Sequence, residues 1–188
     1  MEALEIFADG RGGYFPQLCS ERPEPGKMVV TPHNRHWCQP DYGTTCLVSA
    51  LRAQYGLEQK TAVEYLEWRY ENRGGLYFAN PYMVDWTLAW ALQGTTGATG
   101  LRGRLATDVL ASMNEDGSFG RYDIAMSTAL AILALVSLSA GDEAVHRARL
   151  RLADFMTEDG CWPSGIPFYS SVTLPRERIP GGVLASLC

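Results

Sequence analysis

The sequence predicts an all-α protein in which inner and outer helices alternate around a common centre. Three observations lead to that fold class. Almost nothing in the chain alternates apolar and polar residues with period two, as half-buried strands do. Glycine–aromatic breaks recur along the chain at near-regular spacing. Between them, segments with a single apolar stripe alternate with segments that are apolar nearly all round.

The breaks are "DGRGGYF" (9–15), "NRGGLYF" (72–78), "EDGSFG" (115–120) and "EDGCWPSG" (158–165). Gly75 and Gly117 stand 42 residues apart, and Gly117 and Gly160 stand 43 apart. Glycine supplies the left-handed turn that stops a helix, and the aromatic packs the corner. A period of about 40 residues marks stacked supersecondary units.

An amphipathic segment precedes each of the last three breaks. Residues 60–72 carry Val63, Leu66 and Tyr70 on one stripe, with Thr61 and Glu64 spaced as a capping box. Residues 104–114 carry Leu105, Val109 and Met113. Residues 142–157 carry Val145, Ala148, Leu152, Phe155 and Met156, with Asp142 as the expected N-cap. Their other faces are charged, so these are the outer helices. The segments 41–54, 83–94 and 122–139 are apolar nearly all round and are expected to be buried on every side.

Each inner segment opens with an aspartate: "PDYGTTCLV", "VDWTLAWAL" and "YDIAMSTAL" supply Asp41, Asp85 and Asp123. An aspartate at a helix start accepts backbone N–H bonds and meets the positive end of the helix dipole. Capping is therefore one reading of all three, and acid chemistry at a shared mouth is the other.

With 188 residues, 46% of them apolar, the chain fits one domain spanning 1–188. Residues 1–40 are loop-rich, with Pro and Gly in "SERPEPGK", and 41–188 hold the helical-hairpin repeats. A net charge of −5 without a basic stripe argues against a nucleic-acid groove. Arg147, Arg149 and Arg151 read as one solvated helix face. The five cysteines are odd in number and widely spaced, and the N-terminus lacks a signal-peptide layout, which predicts reduced thiols in a cytoplasmic protein. The stretch 124–140 carries no charge over 17 residues, at the lower edge of a bilayer span. Its serines, Thr128 and lack of a basic flank favour a buried helix, so no transmembrane segment is expected.

The glycine–aromatic breaks, above all "EDGSFG" and "EDGCWPSG", resemble the repeats of squalene–hopene cyclases, class II diterpene cyclases and protein prenyltransferase β subunits. The resemblance covers roughly residues 5–185. It implies an α/α toroid, here a partial barrel, whose apolar cavity holds an isoprenoid. Squalene–hopene-type cyclases carry a P-D-x-D-D-T-A motif whose middle acid protonates the substrate. Pro40, Asp41 and Thr45 match it; Gly43 stands at the proton-donating position and Thr44 at the last acid. A lone carboxylate with an ordinary pKa is protonated in about one molecule in a thousand at pH 7, a penalty of roughly 4 kcal/mol. A second acid, Asp85 or Asp123, is needed to hold the proton if the three helix mouths converge.

The zinc pattern of the prenyltransferases, a Cys two residues after an Asp, is not kept: Thr87 follows Asp85 and Gly43 follows Asp41 at that spacing. His33, His36 and Cys38 in "HNRHWC" are metal-ligand types without a standard spacing, and ordinary loop histidines are the alternative. No Cys–His spacing marks Cys38 or Cys46 as a nucleophile. No phosphate-binding glycine loop and no D-D-x-x-D-like run is present, so no cofactor and no bound metal are expected.

The expected function is therefore that of a small terpene-cyclase-like enzyme. It would bind a hydrophobic isoprenoid-derived substrate and promote acid-catalysed cyclisation or isomerisation. Asp41, Asp123 and Asp85 are the candidate acids. Tyr42, Trp86, Trp90, Tyr122, Thr45 and His36 are the candidate substrate contacts, the aromatics through their π faces or else as helix packing. The alternative is a non-catalytic half-toroid that binds a lipid or a partner protein. Half a barrel leaves the inner helices open on one side, so closure by a second copy, a partner subunit or the chain's own N-terminal 40 residues is expected.

Overall fold

The structure is a computed structural model and describes residues 2–16, 38–93 and 95–166. It is all-helical: the described residues hold seven α-helices and no strand beyond two isolated bridges, Ala8–Tyr14 and Met113–Phe119. After a one-turn helix α1 (Glu2–Glu5) come α2 (Tyr42–Gln54), α3 (Val63–Arg69) with a 3-10 turn over Tyr70–Asn72, and α4 (Pro81–Gln93). Then follow α5 (Thr99–Ala111), α6 (Ile124–Leu138) and α7 (Asp142–Asp154).

The alternation expected from the apolar pattern is present as two layers. Helix α4 packs between α2 and α6, forming a row; α5 packs against α4 and α6, and α7 against α6. Helix α3 is tied to α2 by Tyr42, whose hydroxyl donates to Leu66 O at 3.1 Å. The core lies between the layers, where Leu88, Leu92 and Leu135 of the row meet Leu66, Leu101, Leu105 and Val145 of the outer helices. Two side-chain bonds lace α4 to α6: Asn80 Nδ2 to Ser127 Oγ at 2.8 Å and Gln93 Nε2 to Ser137 O at 3.2 Å.

The repeat is physical as well as textual. Asp9, Asn114 and Thr157 each donate their N–H to the carbonyl four residues on, at 3.0, 2.9 and 2.7 Å. The residue before that carbonyl is a glycine with positive φ each time: Gly12 (+100°), Gly117 (+87°) and Gly160 (+81°). The turn delivers an aromatic into the core. The N–H groups of Tyr14 and Phe119 then donate to Thr45 and Thr128 of the next row helix, at 2.9 and 3.0 Å. In the last turn the matching aromatic, Trp162, is 49% exposed.

Several local expectations are corrected. Thr61 and Glu64 form no capping box: the Thr61 hydroxyl donates to Gly12 O at 2.6 Å, and the helix begins after Ala62. Helix α5 starts at Thr99, five residues before the expected 104, so Gly100 and Gly103 are tolerated inside it. Asp142 is the first helical residue of α7, and the cap position is Gly141. Cys38 is disulfide-bonded and buried, against the expectation of reduced thiols. Cys46 is a buried free thiol, as expected. Among the described residues no helix is long and apolar enough to cross a membrane.

Candidate functional site

Asp41 is 5% exposed at the start of α2. Its Oδ2 accepts the N–H of Thr44 at 2.7 Å, the N-cap bond, and its Oδ1 accepts the N–H of Leu76 through a short contact. Gly43 N–H also donates to Gly74 O at 3.2 Å. The start of α2 is thus stapled to the 73–78 loop, and both carboxylate oxygens are engaged by backbone donors.

Gly43 occupies the position at which the resembling motif places its proton donor. A Cβ there would lie 2.7 Å from the Phe78 ring and 3.3 Å from Val84 Cγ2. Phe78 fills the space an acid would need. Thr45 is fully buried, donating to Asp41 O and accepting from Tyr14, and Tyr42 is buried with its hydroxyl on Leu66. Both pack the structure together.

Asp85 does not open its helix. The start of α4 is Pro81, preceded by Asn80, whose Oδ1 accepts the N–H of Tyr82 at 3.0 Å. Proline at the first helical position is preset for that role. Asp85 lies one turn further in, where its Oδ1 accepts from Arg73 Nε at 2.8 Å. The Arg73 guanidinium lies 4.3 Å from the Tyr70 ring centre and places Nη2 3.5 Å from Asp108 Oδ2. Tyr70 Oη donates to that same oxygen at 2.7 Å. Burial pushes the Asp85 carboxyl above its usual range, although Arg73 pulls the other way. Burial also pushes up the Tyr42 hydroxyl and the Cys46 thiol beside it. Asp85, Arg73, Gly74, Gly75, Phe78 and Val84 border a cleft of about 390 Å³.

Asp123 is exposed, holds a left-handed backbone (φ 49°) and makes no capping bond. Its Oδ2 accepts the N–H of Ile166 at 3.1 Å. Tyr122 is 86% exposed and packs no cavity wall. The three aspartates therefore do not meet: Asp41 and Asp85 flank the 73–78 loop, and Asp123 shares no partner with either.

A different surface gathers the remaining candidates. On each row helix, one stripe at i, i+3 and i+7 stays partly exposed: Thr44, Leu47 and Leu51 on α2; Met83, Trp86 and Trp90 on α4; Met126, Ala129 and Leu133 on α6. These positions share one face of each helix. The bonds to the outer layer and its turns leave from other faces, through Tyr42, Tyr82 and Thr128. The row thus has one side backed by outer helices and one partly exposed side whose nine stripe positions carry no charge; Gly165 packs against Met126 at one end of it. Trp86 and Trp90 stack on it, ring centres 5.8 Å apart and planes 12° apart. The expectation that inner helices are buried on every side is corrected here: Leu133 is 44% exposed.

Sequence reasoning missed Arg73, Phe78 and Asp108 and gave Tyr70 a packing role alone. The break "NRGGLYF" held the first two, but nothing in one dimension places Arg73 on Asp85 or Phe78 on Gly43. Among the described residues no three His, Cys, Asp or Glu side chains group as metal ligands. His33 and His36 lie outside the described residues.

No family model matches the chain, and no curated protein matches it. Among solved structures it is similar to a protein from Actinoplanes, with a TM-score of 0.66 and 17% identity. The match covers 86% of this chain and 51% of that one, so the chain spans about half the length of its structural neighbour. At this identity the likeness shows the fold alone.

Proposed function

We propose that this chain is a binding module whose open face, across α2, α4 and α6, takes an apolar, isoprenoid-like ligand, and that a second copy closes the face over it. The observation that carries this reading is the alignment of three uncharged stripes on neighbouring helices, centred on the stacked Trp86 and Trp90. Contiguous apolar patches of this kind mark ligand or partner surfaces. Asp41 and Asp123 stand at the mouths of two of those stripes, but both oxygens of Asp41 are engaged by backbone donors, which favours binding without acid chemistry. The resemblance to cyclase and prenyltransferase repeats supplies the ligand class. Quenching of tryptophan emission by farnesol tests it. Trp86→Ala/Trp90→Ala should weaken farnesol binding at least ten-fold with the fold intact, and unchanged binding refutes the reading. Size-exclusion chromatography tests the closure, which a monomer in the presence of farnesol would refute.

A second reading, acid-catalysed cyclisation or isomerisation, is favoured by Asp85 alone, a buried carboxyl pushed towards its protonated form beside a cleft. Proton donors in apolar sites are tuned in this way. Incubation with squalene or geranylgeranyl diphosphate, followed by product analysis, tests it, and turnover that survives Asp85→Asn would refute the assignment. The cytoplasmic location belongs with these proposals; the Cys38 disulfide weighs against it, because such bonds persist in oxidising compartments. Alkylation of the thiols in intact cells decides that point.

A further inference from the structure

The residues that open the three row helices share a place and not a job. Asp41 caps α2 by accepting Thr44 N–H, and Asn80 serves α4 by accepting Tyr82 N–H. Asp123 stands at the same place before α6, yet it makes no capping bond and holds a left-handed backbone, φ 49°. Its Oδ2 accepts the N–H of Ile166 instead, at 3.1 Å. The segment it holds starts from the outer layer, where Trp162 Nε1 donates to Leu152 O of α7 at 2.8 Å. Of residues 162–166 only Gly165 is buried. It lies against Met126, which begins the α6 stripe of the open face: a Cβ at 165 would stand 2.6 Å from Met126 Cε and 3.0 Å from Sδ. Among the described residues no other hydrogen bond ties 163–166 to a helix. Segments with so few contacts open locally at low cost.

We propose that residues 162–166 form a strap over the α6 end of the open face, latched by Asp123, and that an apolar ligand reaches Met126 only when the latch opens. The proposal rests on the reading of that face as a ligand surface. Two partners compete for one carboxylate. Latched, Asp123 holds Ile166 and leaves the first-turn N–H groups of α6 without a side-chain acceptor. Unlatched, it can take up the extended backbone that Asp41 has (φ −100°, ψ 130°) and accept from Met126 N–H, the counterpart of Thr44 N–H in α2. That move leaves a backbone region that residues other than glycine seldom occupy. Each state keeps a bond to the carboxylate, so a ligand that binds one state better can shift the balance.

Asp123→Gly tests the latch, because it removes the carboxylate and still permits the left-handed backbone. Asp123→Asn is the control, because it keeps an acceptor oxygen for Ile166. Residue 123 is exposed, so neither change disturbs the core. Two readouts need no ligand: hydrogen exchange at the Ile166 amide, and sulfoxide formation at Met126 in dilute hydrogen peroxide, followed by peptide mass spectrometry. Asp123→Gly should speed both by about five-fold or more, while Asp123→Asn stays within about two-fold of the unaltered chain. The third readout is the association rate of farnesol, from tryptophan quenching. It should rise about three-fold or more in Asp123→Gly, because a larger fraction of the protein is open. Unchanged exchange or unchanged oxidation in Asp123→Gly overturns the strap. Faster exchange and oxidation with unaltered farnesol association overturn the gate. Farnesol that binds neither the unaltered chain nor Asp123→Gly defeats the open-face reading and the gate with it, and the two ligand-free readouts then report on the strap alone.

Discussion

Asp41 offers the sharpest test, because its two oxygens do different jobs. Oδ2 caps α2 through Thr44, and Oδ1 holds the 73–78 loop through Leu76. Alanine at 41 removes both bonds. Loss of an N-cap costs about 1 kcal/mol, and loss of a hydrogen bond to a charged group about 1.5–3 kcal/mol. The sum is about 2–4 kcal/mol, or roughly 5–15 °C in melting temperature for a chain of this size. Asparagine has one acceptor oxygen. It can keep the cap, since Asn caps nearly as well as Asp, but its amide nitrogen cannot accept from Leu76. Asp41→Asn should therefore fall between, at about 1–2 kcal/mol. Urea unfolding followed by circular dichroism at 222 nm, with the denaturant slope checked for constancy, measures both. If Asn matches the unaltered chain, the Leu76 bond contributes nothing; if Asn matches Ala, the cap contributes nothing. Either result refutes the two-job account.

Gly43→Ala should destabilise the chain by about 1–2 kcal/mol in urea, because overpacking against Phe78 outweighs the gain in helix propensity. In a Phe78→Ala background the same change should cost much less, since the ring contacts are gone and only Val84 stays close; additive losses would contradict the packing account. Asp85 sets a pH dependence of definite sign. Its folded carboxyl holds a proton to higher pH than the unfolded one, so folding takes up a proton in the window just above the ordinary aspartate range. Stability should fall as pH rises through that window, and Asp85→Asn should flatten this part of the urea-midpoint curve. Reduction of the Cys38 disulfide should lower stability by about 2–4 kcal/mol, seen as a lower midpoint in dithiothreitol that Cys38→Ser abolishes.

The helical class and the alternation of layers were legible in one dimension. Apolar periodicity is a local property, and so is the glycine that turns left-handed before each aromatic. That is why "DGRGGYF", "EDGSFG" and "EDGCWPSG" announced three turns with the same hydrogen bond. That glycine stands at 43, where the resembling motif carries an acid, was equally plain from the text. Its reason was not: the ring of Phe78, 35 residues later, fills the space.

The aspartates show the boundary most clearly. Sequence alone set three acids near three inner helices, and there its authority ended. Folding made Asp41 a two-handed staple, paired Asp85 with Arg73 behind the row, and left Asp123 in solvent beside Ile166. The physical reason is range. Helix propensity and capping act over a few residues and can be read locally. A carboxylate's partner, exposure and proton affinity depend on which distant segments the packed helices bring against it, and that is fixed only in three dimensions.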